Sequence, residues 1–128
     1  MITEDYVSAE VARLLKEKGF NQPLLTFYVC VDNNYSNEVG VMAFTDDTIE
    51  NNSDLYVLAP TLQMAMKWLR ETHNLFVDIY YDYDFKEGYK FSIHKLTKGT
   101  TLETHNENYS TYEQACDKAI KYCLEKLI

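Results

Sequence analysis

Basic residues are outnumbered: 12 Lys and Arg stand against 20 Asp and Glu, a formal net charge of -8. Phosphate backbones and anionic lipid are held by clustered Lys and Arg, so this balance opposes nonspecific attraction to either. Glycine is equally sparse, at 4 residues in 128, and no Gly-rich phosphate loop or G-x-S-x-G nucleophile turn occurs. The 3 cysteines, Cys30, Cys116 and Cys123, make neither an even disulfide set nor a C-x-x-C ligand pair. They are expected as free thiols, with Cys116 and Cys123 at core spacing on one helix. No apolar run approaches the about 18 residues of a membrane span, and no basic-then-apolar leader opens the chain. These absences predict a cytoplasmic protein with no membrane partner.

What is present is an ordinary globular composition, 46% hydrophobic and 25% charged, with 11 Tyr. Tyrosine at that level suits a sheet whose rings are buried while their hydroxyls stay near water. The expected architecture is a single α+β domain over residues 1–128. Its mostly antiparallel sheet of four or five strands packs against about three helices, and its second half runs helix-β-β-β-helix.

Residues 1 to 7 read as a lead-in. Ser8 then caps a helix through Lys18, with Val11, Leu14 and Leu15 inward, and Gly19 ends it in the left-handed conformation. Leu25, Phe27, Val29 and Val31 alternate with Thr26, Tyr28, Cys30 and Asp32 in a strand; residues 38 to 44 return, 45 to 54 are loop, and 55 to 58 form a brief strand. Pro60 suits the first position of a second helix and Thr61 its cap. Leu62, Met64, Ala65, Met66, Trp68 and Leu69 leave that helix only a narrow polar stripe, so it is expected against the sheet with Trp68 buried.

Residues 75 to 85 alternate strictly, and the alternation resumes at Tyr89. A three-residue loop closed by a left-handed Gly88 sets Phe85 opposite Tyr89, Tyr83 opposite Phe91, Tyr81 opposite Ile93, and Asp84 opposite Lys90. Leu75, Val77, Ile79, Tyr81, Phe91 and Ile93 then face inward, and Asp78, Asp82, Ser92 and His94 outward. Lys98 and Gly99 make a turn, a last strand spans residues 100 to 103, and 105 to 109 are loop. Ser110 and Glu113 form a capping box for the final helix, on which Tyr112, Ala115, Cys116, Ala119, Ile120, Cys123 and Leu127 recur at helical spacing.

No motif among these residues reaches a chemical assignment. Asp32, Asn34 and Ser36 mimic the start of a calcium loop, but Asn37 replaces the turn glycine and Ala43 the closing bidentate Glu. Asp78, Asp82 and Asp84 share the outer strand face, where carboxylates could bind a divalent ion or work as acid and base. The simpler reading is a solubilising face, partly neutralised by Lys90, on which Asp82→Asn changes little. His73, His94 and His105 are scattered, with no nucleophile beside them. Three Asn-x-Ser sequons, at Asn34, Asn51 and Asn108, mark polar loops. Thus no catalytic, metal or cofactor site is expected.

From residue 61 to 127 the order of elements resembles that of double-stranded-RNA-binding domains. That family holds phosphates with a basic cluster at the start of its last helix, where this chain carries Glu113, Asp117 and only Lys118. The resemblance therefore implies topology without RNA binding. The stretches 6 to 8 with 14 to 20, 59 to 71 (Ala-Pro-Thr-Leu-Gln-Met-Ala-Met-Lys-Trp-Leu-Arg-Glu), and 111 to 115 with 119 to 124 resemble a family of small uncharacterised proteins common in gut anaerobes and their phages or prophages. The family brings no established activity, and implies a mobile-element accessory role. The expected function is a cytoplasmic protein-interaction module whose partner is another protein. The alternative is a nucleic-acid-related role, through a local patch or as an acidic mimic that blocks a DNA-binding protein.

Overall fold

Ser8 opens the first helix by accepting a hydrogen bond from the Val11 N–H at 3.3 Å, and α1 runs Ala9–Glu17. Its exit is a Schellman turn: Gly19 adopts φ +91° and donates to the Lys16 carbonyl at 3.2 Å, and Phe20 donates to the Leu15 carbonyl at 2.9 Å. Phe20 and Leu15 are both buried, the contact that accompanies this cap. The computed structural model describes residues 1–32, 34–41, 55–83, 88–97, 100–104 and 107–128. Their contacts gather into two compact units, Met1–Thr61 and Leu62–Ile128. Each unit combines helix with antiparallel sheet, so the α+β class holds, with the strands divided between two sheets of four and three.

In the first unit β1 (Thr26–Val31) pairs antiparallel with β2 (Asn34–Tyr35), β3 (Gly40–Val41) and β4 (Tyr56–Leu58). The alternation in β1 resolves through hydrogen bonding. Tyr28 is buried because its hydroxyl donates to the Val7 carbonyl at 2.6 Å, and Thr26 Oγ1 donates to the Ala59 carbonyl at 2.7 Å. On the other side of the strand Val31 stays exposed, and the Phe27 ring lies 3.0 Å from where a Cβ on Gly40 would sit. The lead-in is tied down rather than loose. Tyr6 bridges Thr61, the Val7 N–H donates to the Pro60 carbonyl at 3.0 Å, and Val7 is fully buried. The returning strand begins at Gly40 rather than at residue 38, and Asn33 and residues 42 to 54, including Ala43 and the sequon at Asn51, lie outside the described residues.

The second unit begins with α2, Leu62–His73. Pro60 precedes the helix instead of starting it. Leu62, Ala65, Met66, Trp68 and Leu69 are buried as expected, whereas Met64 is exposed, so the polar stripe is wider than the sequence implies. Asn74 takes φ +56°, the left-handed end anticipated for it.

β5 (Leu75–Asp82), β6 (Gly88–Lys95) and β7 (Thr100–Thr104) form an antiparallel sheet in that order. The expected register is corrected here: Val77 faces Ile93, Ile79 faces Phe91 and Tyr81 faces Tyr89. Each β5 residue meets a partner four positions earlier than the three-residue loop requires. The shift is even, so every side chain keeps its face. Gly88 is a strand residue opposite Asp82, and its lack of a side chain is explained by Asn108, whose Cβ lies 3.0 Å from the place a Gly88 Cβ would take. Asp84, Phe85, Lys98, Gly99 and His105 lie outside the described residues. β7 carries a bulge opposite Ile93 and His94.

The last helix, α3 (Tyr112–Tyr122), continues into a π-helical turn over Cys123–Leu127. Its cap is Thr111 rather than Ser110. Thr111 Oγ1 accepts from the Gln114 N–H at 3.1 Å, and Ser110 Oγ donates to Gln114 Oε1 at 2.8 Å. The N-cap is thus displaced by one residue from the expected Ser110, and the Gln114 side chain accepts from the Ser110 hydroxyl instead of closing a capping box with Glu113. Ala115, Cys116, Ala119, Ile120, Cys123 and Leu124 are buried with Leu75, Val77, Phe91 and Ile93 in the core of this unit.

Candidate functional site

The acidic strand face is not an open row of carboxylates. Asp82 forms an ion pair with Lys90 at 2.8 Å, and the two side chains are only 14% and 19% exposed. Asp78 pairs across the ladder with the buried Ser92. Ser92 and His94 do lie on this face, but in a chain: Ser92 Oγ is 3.0 Å from His94 Nε2, and His94 Nδ1 is 3.0 Å from Thr101 Oγ1. No group of three His, Cys, Asp or Glu side chains suited to a metal ion occurs among the described residues.

Other sequence candidates among the described residues make contacts within the fold. Ser36 Oγ accepts from the Val29 N–H at 3.0 Å and donates to the Glu38 carbonyl at 3.0 Å, so the third residue of the calcium-like series spends its hydroxyl on neighbouring backbone. His73 packs edge-on against Trp68 at a centroid distance of 4.8 Å. Burial, then the charge of Lys95, holds its imidazole below the usual range, and its Nε2 is buried with no hydrogen-bond partner among the described residues. Burial pushes the Cys116 and Cys123 thiols up to about 11 and about 12. Burial thus favours the protonated thiol over the thiolate, the form that acts as a nucleophile.

A cleft that the sequence did not announce lies in the second unit. On α3 and its π-turn, Lys118, Lys121, Tyr122 and Glu125 recur at i, i+3, i+4 and i+7, a stripe beside the buried one. The stripe, Phe91 of β6, and Glu107 and Tyr109 of the segment before α3 border an open cleft of about 230 Å³. Tyr109 is held in place by two backbone hydrogen bonds exchanged with Tyr89, each 2.8 Å. Its ring stacks on Phe91 at 6.2 Å with a 20° interplanar angle, and Tyr122 meets Phe91 at 6.3 Å with a 52° tilt.

Both tyrosine hydroxyls have committed their protons. Tyr109 donates to Glu107 Oε2 at 3.2 Å and Tyr122 to Glu103 Oε2 at 3.0 Å. Burial, then the Glu107 carboxylate, pushes the Tyr109 phenol up to about 12, and the bond to Glu103 raises that of Tyr122. Each hydroxyl therefore offers lone pairs rather than a proton. Lys121 lies 3.8 Å from Glu125, which offsets one of the two cations at the rim. The cleft thus presents the rings of Tyr109 and Tyr122 over a buried Phe91, acceptor oxygens, and two carboxylates, Glu107 and Glu125, balanced by Lys118 and Lys121. These groups suit a planar cation, which gains from the ring faces and from charge-assisted hydrogen bonds.

The segment 105 to 109 reads as plain loop and the α3 stripe as a solvated face, so neither signals a cleft alone. The tyrosine content and the 118, 121, 122, 125 spacing were the available signs. Comparison with protein-family models, with curated proteins and with solved structures gives no match to this chain.

Proposed function

We propose that the protein is a small interaction module for a basic protein partner, and that the α3 cleft receives one arginine side chain of that partner. The observation that carries this is the cleft itself, with walls from Phe91, Tyr109 and Tyr122 and carboxylates from Glu107 and Glu125. Its volume of about 230 Å³ falls below the roughly 300–1,000 Å³ of sites for whole small molecules, which favours a single side chain over a cofactor. The net charge of -8 adds long-range attraction for a basic surface. The same charge supports the second reading, an acidic mimic whose partner is the phosphate-binding face of a nucleic-acid-binding protein. A mobile-element setting is the context we attach to both, on the resemblance over residues 6 to 8 with 14 to 20, 59 to 71, and 111 to 115 with 119 to 124; a cytoplasmic one accords with the lack, among the described residues, of a helix long and apolar enough to cross a membrane.

The test is an NMR titration with N-acetyl-arginine amide and its citrulline analogue, which keeps the shape and loses the charge. Arginine is expected to shift the Tyr109 and Tyr122 ring signals while citrulline does not, and Glu107→Gln should abolish the difference. Shifts produced instead by N-acetyl-glutamate, through Lys118 and Lys121, would overturn the basic-partner reading. Duplex DNA or RNA should show no salt-sensitive association at moderate ionic strength.

A further inference from the structure

β5 forms one edge of its sheet and runs for 8 residues without proline, lysine or bulge. Exposed edges are normally blunted by such devices or by shortness, and β7 at the opposite edge shows two of them, with 5 residues and a bulge. The direction of the β5 backbone follows from its neighbours. Tyr89 spends both its N–H and its C=O on Tyr109, so it exchanges neither with Tyr81; the bonded pairs of β5 and β6 are therefore the even-numbered ones, a phase that continues in the Leu96 N–H to Asn74 carbonyl bond of 2.9 Å. Leu75, Val77 and Ile79 consequently aim their N–H and C=O groups at the outer edge. Among the described residues, no strand pairs with them there.

We propose that this edge binds the same edge of a second copy, antiparallel about a two-fold axis at Val77, so that two three-stranded sheets join into one. The side chains choose both the occupant and the register. Only even registers keep the two faces of the sheet continuous. An axis at Asp78 would set its carboxylate against its own copy, which is destabilising, and an axis at Ile79 would draw the Asp82–Lys90 pair into the seam at a desolvation cost. The axis at Val77 avoids both. It pairs Leu75 with Ile79 and Val77 with itself through outward-aimed backbone groups, and sets Asp78 opposite the exposed Phe76. The edge is its own complement, as a closed two-fold interface requires.

Sedimentation velocity over a wide concentration range tests this with the wild-type chain and two variants at Phe76, which is 38% exposed. The wild type is expected to dimerise. Phe76→Asp places a carboxylate opposite Asp78 twice and should weaken the dimer by roughly three- to tenfold, while Phe76→Lys should tighten it by a similar factor. Circular dichroism confirms that each variant is folded. A chain that remains monomeric at every concentration overturns the proposal, as does a dimer indifferent to the sign of the charge at position 76.

Discussion

Trp68 is 8% exposed on a helix whose other buried residues are smaller, so its indole supplies much of the apolar surface that α2 contributes to its unit. Trp68→Ala should cost about 3 to 5 kcal/mol in chemical denaturation, the range for deleting a large core aromatic. The same indole wall sets the protonation behaviour of His73. Protonating its imidazole in the folded chain would put a charge beside Trp68 and Lys95 and an unmatched donor at a buried Nε2. Its folded pKa is depressed, so the unfolded chain takes up the proton first as pH falls. Stability is therefore fully present above about 6.5 and declines below it. Denaturation at pH 7.5 and 5.5 should show this loss in the wild type and a smaller one in His73→Gln; an equal loss in both would assign it to other groups.

Helix ends and faces were legible because caps and stripes are local. Ser8, Gly19 and Asn74 act where their chemistry predicts, and even at α3 the cap moved only from Ser110 to Thr111. The hairpin was legible in its faces but not in its register, since a period of two specifies parity and leaves four-residue shifts open. Gly88 has the sequence context of a turn residue, whereas the close approach of Asn108 is what demands it. The corrected register changes an energetic expectation. Asp82 is bonded to Lys90 and both are largely covered, so Asp82→Asn strands a cation and should cost more than about 1 kcal/mol, in place of the small effect an exposed carboxylate would give. A double-mutant cycle with Lys90→Met decides it. A coupling within error of zero would return Asp82 to the role of a solubilising charge. The cleft was the least legible element, because Phe91 is distant in sequence from the Glu107 to Tyr109 segment and α3, and each has an ordinary reading alone.

At the scale of the whole molecule, the two units divide the cysteines unequally. Cys30 is half-buried in Met1–Thr61, while Cys116 and Cys123 are sealed in Leu62–Ile128 with their protons held by burial. An alkylating reagent at neutral pH therefore has one fast target, and mass spectrometry should find the first adduct on Cys30. The second and third adducts should appear only as the second unit opens, and together, since both thiols lie on the same helical run. Trp68→Ala should speed those two and leave the first unchanged. Separate rates for Cys116 and Cys123 would mean that the π-turn frays before the helix does. The thiols that burial shields in the folded state thus act as a clock on the unit that hides them, with Cys30 as its internal reference.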